Sequence, residues 1–544
     1  MPPMRKTPTL ALALVTVPLL ATSGAAAGAP SCPPLWTHGV LELPWRPAFM
    51  RVDRYDDGDG LTVSSFYNAY RNPQPGPPFI TYARDRVARI PGLAGIDPAT
   101  FDATTDVEEL TDRELGPGGL GGRTVWPNEA ARAPDGAFPF EAVVVPQGFH
   151  PAIAPGRLTA IDVATGDEYV IHQSTQAASG FTFPGDPANS PRFYHRALFH
   201  DMDGDGLLDI VTARSGFRVF PSFYPPFAEL VYFVNPGAAL DPATPWREVV
   251  LWGGPPAGFM GPDIHLAMHD FEGDGVPEIV ATHFFTGAPS GPGQPPPQHG
   301  TVALYGAPAG GTWADVDASR FRLPRVAVLS ADQGFPFDAQ PVDLDHDGTV
   351  DLLVTNHQPD NCTPATSSAV PGRVYALTPP RGDVFTQPWT RRTLLDEIRP
   401  NPSLPGASSP GRLAPGKAHV FWPMRLFAGL SRPWIVVGGD EAGKVWVLRP
   451  TSLVRGWGYE VSVIFDLNDF YGEGSTQTPR PPGVVFSTIG EVAVRYDRRG
   501  WLGFAELYIP AFEAHDIHVM SMRPGHGGRR LVCPTAAPVT CPGP

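Results

Sequence analysis

An acidic nine-residue pattern constrains this chain more than any other feature, because it recurs and each copy leads into an apolar run. Carboxylates occupy positions 1, 3, 5 and 9 of the pattern, and glycine occupies position 6, where the backbone must turn sharply. Calcium prefers six to eight oxygen ligands, which such carboxylates supply together with a backbone carbonyl and water. Calcium loops between helices end instead in a glutamate at position 12. Here an apolar, strand-like run follows position 9, so we expect each loop to lead into a strand.

Three copies of the pattern carry all four carboxylates. The predicted metal ligands are Asp201, Asp203, Asp205 and Asp209 in the first copy, Asp270, Glu272, Asp274 and Glu278 in the second, and Asp343, Asp345, Asp347 and Asp351 in the third. The copies start 69 and 73 residues apart, which indicates a structural repeat. A fourth copy at residues 53–60 is degenerate, with tyrosine at position 3 and leucine at position 9. We predict structural Ca²⁺ in the three complete loops; the alternative is a solvated acidic turn.

These loops resemble the FG-GAP or VCBS-type repeat of integrin-α-like β-propellers, in which the acidic loop stands at the start of each blade and a hydrophobic strand follows. The resemblance implies an all-β propeller. Strand-like runs at 141–145, 157–161 and 168–171 add a blade without an acidic loop, and similar triplets follow residue 430. Together, the acidic loops and the strand triplets predict a seven-bladed β-propeller over residues 30–525, with six or eight blades as alternatives. Such propellers serve binding and catalysis alike, so the resemblance leaves function open.

The ends of the chain predict export and a closed ring. Residues 1–29 read as a signal peptide: Arg5 and Lys6 precede an apolar run near eleven residues long, too short to span a bilayer. An uncleaved anchor is the alternative. We expect a protein that is secreted or extracellular, in the periplasm or at the cell surface if the host is bacterial, with a proline-rich tail at 526–544. Residues 40–43 and 517–519 are apolar-rich, and we predict that they pair in one sheet, because a closed ring leaves no bare edge.

Net charge limits the classes of binding partner, and the cysteine content indicates the compartment. Removal of residues 1–29 moves the formal charge from −15 to −17, which makes nucleic acid and anionic membranes poor partners. The even number of cysteines suits disulfides in an oxidising compartment. The open pairings join Cys32 to Cys533 or Cys541, or staple Cys533 to Cys541, and Cys362 lies in a glycosylation sequon.

Histidine is the residue type that could carry chemistry. Arg196, His265 and Asp338 each stand five residues before the first aspartate of a loop. Equivalent positions on successive blades point to the same region of a ring, so we expect His265 and Asp338, with His195 or His419, to converge near a central funnel. Imidazoles beside a carboxylate could bind Zn²⁺ or another divalent metal, or act as acid and base. The alternative is that each caps a strand or a loop.

A second resemblance concerns about two blades. Residues 232–237, Trp246 and the run 261–265 ahead of the second loop are similar to blades in the propeller domain of aldos-2-ulose dehydratase. It implies a sugar-directed enzyme. We therefore carry two hypotheses: a monomeric, calcium-stabilised module that binds an extracellular protein or glycan, and a metal-dependent lyase or hydrolase with its site in the funnel. The loop aromatics that would suit sugar stacking are Phe223, Tyr224, Phe259, Trp422 and Tyr471.

Overall fold

The computed structural model describes 32–66, 85–111, 124, 126–148, 156–173, 192–218, 224–242, 244–253, 261–284, 300–317, 322–359, 372–400, 413–471, 488–497, 502–524 and 528–533. Within these ranges the chain forms seven antiparallel sheets. None of the described helices is long and apolar enough to cross a membrane.

The first three blades follow an N-terminal strand, β1 (Trp36–Glu42). Blade 1 contains β2 (Met50–Tyr55), β3 (Gly58–Ser65), β4 (Arg86–Ile90) and β5 (Glu108–Glu109). Blade 2 contains β6 (Ala131–Arg132), β7 (Ala142–Pro146), β8 (Arg157–Asp162) and β9 (Glu168–Gln173). Blade 3 contains β10 (Arg192–His200), β11 (Asp209–Arg218), β12 (Tyr224–Val234) and β13 (Arg247–Gly253).

The remaining four blades repeat this order. Blade 4 contains β14 (Leu266–His269), β15 (Glu278–His283), β16 (Thr301–Gly306) and β17 (Arg325–Ser330), and blade 5 contains β18 (Phe335–Val342), β19 (Asp351–Pro359), β20 (Gly372–Thr378) and β21 (Thr390–Ile398), with β22 (Leu413–Ala414) beside β19. Blade 6 contains β23 (Ala418–Phe421), β24 (Trp434–Gly438), β25 (Lys444–Pro450) and β26 (Tyr459–Asp466), followed by helix α1 (Leu467–Tyr471). Blade 7 contains β27 (Ala493–Tyr496), β28 (Ala505–Ala511) and β29 (Asp516–Ser521), then β1 and β30 (Arg529–Arg530).

The apolar runs that follow the acidic loops form the second strand of each blade, and both faces of that strand are buried. In β11, Ile210 packs in a core with residues of blade 2, whereas its neighbour Val211 packs with residues of blade 4. Successive side chains of a strand point to opposite faces. A strand sandwiched between two blades therefore needs apolar residues at every position, which explains why these runs are continuous instead of alternating.

The ring closes through the N-terminal strand, as the sequence predicted. Strand β1 lies antiparallel to β29, with Leu41 opposite Ile517 and Val40 opposite His518. A disulfide joins Cys32 to Cys533, which is one of the pairings left open by the sequence. Blade 7 thus combines the two ends of the described chain, and its sheet lacks the bare edge that an open array would expose. Cys362 and Cys541 lie outside the described residues.

Two details of the repeat differ from the prediction. The three acidic loops join the first strand of a blade to the second instead of opening the blade, because β10, β14 and β18 precede them. The degenerate fourth copy is the tight turn between β2 and β3, and its Asp53 lies within β2, where it accepts hydrogen bonds from Thr62 Oγ1 (2.9 Å) and the Arg132 amide (3.1 Å). The predicted strand at 79–82 lies outside the described residues.

Candidate functional site in the central channel, and the acidic loops

The first strands of neighbouring blades approach one another, so they surround the propeller axis. Polar and charged side chains at six of these strands form a group that we call the channel cluster: Glu129, His195, Arg196, His265, Asp338, Gln340, Lys417, His419 and Glu491. Each lies on a first strand or within two residues before it. The four candidates from the sequence, His195, His265, Asp338 and His419, all belong to this cluster.

His265 and Asp338 form the most deeply buried part of the cluster. His265 Nδ1 lies 2.8 Å from Asp338 Oδ1 and 2.9 Å from Arg196 Nη1, while Nε2 donates to the Ala339 carbonyl at 3.1 Å. Burial alone would raise the pKa of Asp338, but His265, Lys417 and His419 together outweigh burial and the pKa falls below its usual range. Gln340 Nε2 donates to Asp338 Oδ2 at 2.5 Å. Arg196, His265 and Asp338, which occupy equivalent positions on blades 3, 4 and 5, therefore do converge.

Lys417 connects three blades. Its ammonium contacts the Glu129 carboxylate of blade 2 and lies 3.3 Å from Glu491 Oε2 of blade 7, and its side chain is 1% exposed. Burial opposes ionisation of both carboxyl groups, yet Lys417 holds the pKa of Glu129 well below its usual range and also lowers that of Glu491. Arg196 Nη1 adds a second contact to Glu129 at 3.2 Å. Both carboxylates are thus charged and neutralised by cations of the protein itself.

Two further histidines pair with these carboxylates. His195 Nδ1 lies 3.0 Å from Glu129 Oε1, and His419 Nε2 lies 3.0 Å from Glu491 Oε1. Burial lowers the pKa of His195, so its imidazole is neutral at neutral pH. His419 is the more accessible, with 26% of its side chain exposed. A carboxylate that orients a neutral imidazole is an arrangement that can bind a ligand or move a proton.

Aromatic rings border the cluster. Lys417 Nζ lies 5.2 Å from the centroid of Phe49, and His195 packs against Phe49 and Phe337 with ring centroids 5.3 and 5.9 Å apart. Phe49 and Phe337 are partly exposed. The channel wall therefore offers aromatic surface beside hydrogen-bonding groups.

The sequence reasoning missed one pair. His357, at the end of β19, stacks on Phe337 with ring centroids 4.1 Å apart, and its Nε2 lies 3.3 Å from Asp440 Oδ2 in the turn between β24 and β25. Burial lowers the pKa of His357 to about 3, whereas desolvation and the nearby Glu513 carboxylate raise that of Asp440 to about 8. The available signal was a histidine that follows the apolar run of β19, but its partner is 83 residues away in the sequence.

In the first and third acidic loops, three carboxylates approach closely enough to hold a metal ion. Donor atoms of Asp201, Asp203 and Asp209 lie within 4.8 Å of one another, and so do those of Asp343, Asp345 and Asp351. These are positions 1, 3 and 9. The carboxylates at position 5 are not part of these groups and bind backbone amides instead. Asp205 Oδ1 accepts a hydrogen bond from the Leu207 amide (2.8 Å), and Asp347 Oδ1 accepts one from the Thr349 amide (2.8 Å).

The carboxylates at position 9 are the buried members of the acidic loops. Burial raises the pKa of Asp209, and it raises that of Asp351 to about 7. A divalent cation would offset the cost of ionising them, so the donor set suits a hard ion such as Ca²⁺.

The second loop is different, because an arginine engages it. The Arg325 guanidinium makes two hydrogen bonds to the Glu272 carboxylate at position 3, with distances of 3.0 and 2.5 Å. The same guanidinium lies 4.2 Å from the centroid of Phe385, and Nε donates to the Ala307 carbonyl at 2.9 Å. Arg247 occupies the equivalent position in blade 3 but only reaches Asp203 at 3.4 Å, and it is 64% exposed. A fixed positive charge therefore already compensates the second loop.

The predicted sugar-stacking aromatics have packing roles where they are described. Trp422 Nε1 donates to the Ser431 carbonyl (2.7 Å), and the Tyr471 hydroxyl donates to Asp516 Oδ2 (2.6 Å). Phe223, Phe259 and the Tyr224 side chain lie outside the described part of the chain. The aromatic residues that border the channel cluster, Phe49 and Phe337, were not predicted.

No family model matches the chain, and no curated protein matches it either. Among solved structures, the Dos1 propeller is similar at 10% identity over 90% of this chain and 96% of that one, with a TM-score of 0.41. Oligogalacturonate lyase in complex with manganese is similar at 10% identity over 88% and 97%, with a TM-score of 0.35. The NanB sialidase from Streptococcus pneumoniae is similar at 9% identity over 91% and 71%, with a TM-score of 0.34. The resemblance to FG-GAP and VCBS repeats stays a prediction.

Proposed function

We propose that this protein is a secreted, calcium-stabilised β-propeller that binds a glycan at the channel cluster. The observation that carries the proposal is the wall formed by Phe49 and Phe337, which are partly exposed and pack against His195. Arg196, Gln340 and His419 of the same cluster are also partly exposed. A sugar ring has an apolar face that packs on aromatic rings and hydroxyl groups that exchange hydrogen bonds with such side chains. A protein ligand bound through the loops is the alternative form of the same hypothesis.

The charge balance of the cluster supports binding. Glu129 and Glu491 are paired with Lys417 and Arg196, and Asp338 is paired with His265, so the wall is preorganised with few uncompensated charges. Preorganised polar groups bind a ligand without a large reorganisation cost. The disulfide between Cys32 and Cys533 agrees with an oxidising compartment and so supports secretion.

Calcium is proposed for the first and third acidic loops. The ligands would be Asp201, Asp203 and Asp209 in the first, and Asp343, Asp345 and Asp351 in the third, with solvent and backbone carbonyls completing the shell. Asp205 and Asp347 would contribute only after a side-chain rotation, because each is engaged by a backbone amide. In the second loop, formed by Asp270, Glu272, Asp274 and Glu278, Arg325 replaces the ion.

A glycan array followed by calorimetry tests the binding function. The native chain should bind a defined class of glycans, and Phe49→Ala and Phe337→Ala should each weaken binding at least about tenfold, the order expected when one stacking contact is lost. Trp422→Phe is the matched control, since Trp422 packs outside the cluster. Equal binding by the native chain and both phenylalanine variants would refute a glycan site at this wall.

The second candidate function is a metal-dependent lyase or hydrolase. It is favoured by one observation, the buried imidazole of His357 beside the Asp440 carboxylate. Turnover of the bound glycan, followed as new reducing ends or unsaturated products in the presence of Zn²⁺, would distinguish an enzyme from a binding module.

A further inference from the structure

The histidines of the channel differ in whether their ring nitrogens are engaged. His195 pairs with Glu129, His265 with Arg196, Asp338 and Ala339, and His419 Nδ1 lies 3.3 Å from Gln340 Nε2. His357 is the exception among these four: neither of its ring nitrogens has a hydrogen-bond partner among the residues that the structure describes, although only 5% of its side chain is exposed. A buried imidazole carries at least one N–H, and burying it without a partner is unfavourable. The buried imidazole of His357 is therefore in need of a ligand, and the described part of the protein does not supply one.

A carboxyl group beside His357 has the separation expected of a second metal ligand. Asp440 Oδ2 lies 3.3 Å from His357 Nε2, without the alignment of a hydrogen bond. Bonds of about 2.0–2.2 Å from a tetrahedral Zn²⁺ to nitrogen and oxygen, at an angle of about 109°, place the two donor atoms about 3.3–3.6 Å apart. The observed distance falls at the short end of that interval.

Both side chains are held in place by their surroundings. The His357 ring stacks on Phe337 and meets Phe284 edge-on, with ring centroids 5.5 Å apart in the second contact. Asp440 has a φ of 47°, a left-handed conformation that aspartate tolerates, and its carbonyl accepts from the amides of Gly443 and Ile489 at 3.0 Å each. A site on fixed elements is suited to coordination, because little conformational freedom is lost when the ion binds.

We propose that His357 Nε2 and Asp440 Oδ2 bind a divalent transition-metal ion, with Zn²⁺ as the best fit, at the channel wall. Imidazole nitrogen with one carboxylate favours such a metal over calcium, which takes oxygen ligands. Among the described residues no third protein ligand joins this pair at coordinating distance, so water and a ligand oxygen would complete the shell. An ion with open positions beside Phe337 would contact whatever occupies the channel. This inference deepens the second candidate function and rests on it only for the role of the ion.

The test is a calorimetric titration of the full chain with Zn²⁺ in excess calcium, so that the acidic loops are filled and do not compete. We expect one Zn²⁺ per chain. His357→Gln and Asp440→Asn should each weaken binding at least about tenfold, since loss of an outer-shell partner alone costs 10–100-fold. His172→Gln is the matched control, because it removes an imidazole outside the channel cluster that is already engaged by the Tyr194 hydroxyl, and it should retain binding. Anomalous scattering at the zinc edge should place the ion between His357 and Asp440.

Two variants keep the result interpretable. Asp440 lies in a turn and is 26% exposed, so Asp440→Asn should fold even if the buried His357→Gln does not. Absence of zinc binding to the native chain overturns the inference, and so does binding that persists in Asp440→Asn or that is lost in His172→Gln instead. If the native chain binds a glycan but does not bind zinc, the binding function stands and the metal site is refuted. If it binds zinc but no glycan, only the glycan site is refuted.

Discussion

His265 of blade 4 and Asp338 of blade 5 face each other with Nδ1 and Oδ1 2.8 Å apart, and their side chains are 0% and 1% exposed. Such a pair across a blade boundary makes the stability of the ring depend on the electrostatics of its centre.

Asp338→Ala should lower the free energy of unfolding by about 1–3 kcal/mol, because it leaves the buried Nδ1 of His265 without its carboxylate partner. Urea denaturation at neutral pH measures the change. The control is Asp332→Ala, which removes an ion pair with Arg391 in which both side chains are exposed and should cost less than about 1 kcal/mol. Equal effects from the two variants would contradict a special role for the central pair.

Lys417→Met should make stability fall as pH rises. Without the ammonium, burial raises the folded-state pKa of Glu491 above the unfolded value, whereas Glu129 keeps its contact with Arg196. A group whose folded pKa is raised is stabilising below its unfolded pKa and loses that contribution as pH rises through the folded pKa. The difference in melting temperature between native chain and variant should therefore be larger at pH 8 than at pH 5. A difference independent of pH would mean that the Glu491 carboxylate is not buried as a charge.

His283→Asn should flatten the acid side of the stability profile. Burial lowers the pKa of His283 to about 3, so the folded chain keeps it neutral while the unfolded chain protonates it near pH 6.5. Its contribution is present above pH 6.5 and is lost as pH falls, by about 1.4 kcal/mol per pH unit. Between pH 7 and pH 5 the native chain should lose about 2 kcal/mol more than the variant. Urea titrations at the two pH values give this difference, and parallel losses would refute it.

Chelation should lower the melting temperature, because Ca²⁺ bound only to the folded state stabilises it by RT ln(1 + [L]/Kd). We expect two ions per chain in equilibrium dialysis, and one in Asp345→Asn. Arg325→Gln should free Glu272 and raise the number to three, whereas Arg247→Gln, at the equivalent exposed position, should leave it at two. Three ions in the native chain would show that Arg325 does not replace a metal, and none would refute the calcium loops altogether.

Deleting residues 30–45 should abolish cooperative unfolding or cause aggregation, because it exposes the edge of β29 and opens the ring. Cys32→Ser is the control that removes the disulfide but keeps β1, and it should still unfold cooperatively. Scanning calorimetry and light scattering measure both outcomes. A deletion variant with a single native-like transition would mean that β1 is not required for closure.

The sequence by itself determined the architecture of the ring. The acidic loops and their spacing indicated repeated blades, and the continuous apolar runs of β11, β15 and β19 indicated strands that are buried on both faces. The apolar segments at the two ends predicted the pairing of β1 with β29. These inferences succeeded because strand formation and blade packing depend on local patterns of apolar and polar residues, which a linear sequence displays directly.

Equivalent positions in the repeat also predicted that His265 and Asp338 would meet. They occupy the same position in successive blades, and the repeat carries that position from one blade to the next. The sequence could not show that Lys417 joins blade 2 to blade 7 or that Asp440 approaches His357, because these residues have no equivalent positions in the acidic pattern. The contact of Arg325 with Glu272 was hidden for a related reason, since it spans 53 residues within one blade.

Such contacts were decided only by the tertiary structure. They depend on the rotation between blades and on which rotamer each long side chain adopts, and neither quantity leaves a periodic signal in the sequence. A charge is also recognised as compensated only when its partner is located, because the energy of an ion pair varies with distance and burial. The fold followed from local patterning, whereas the chemistry of the channel followed from where the closed ring placed its side chains.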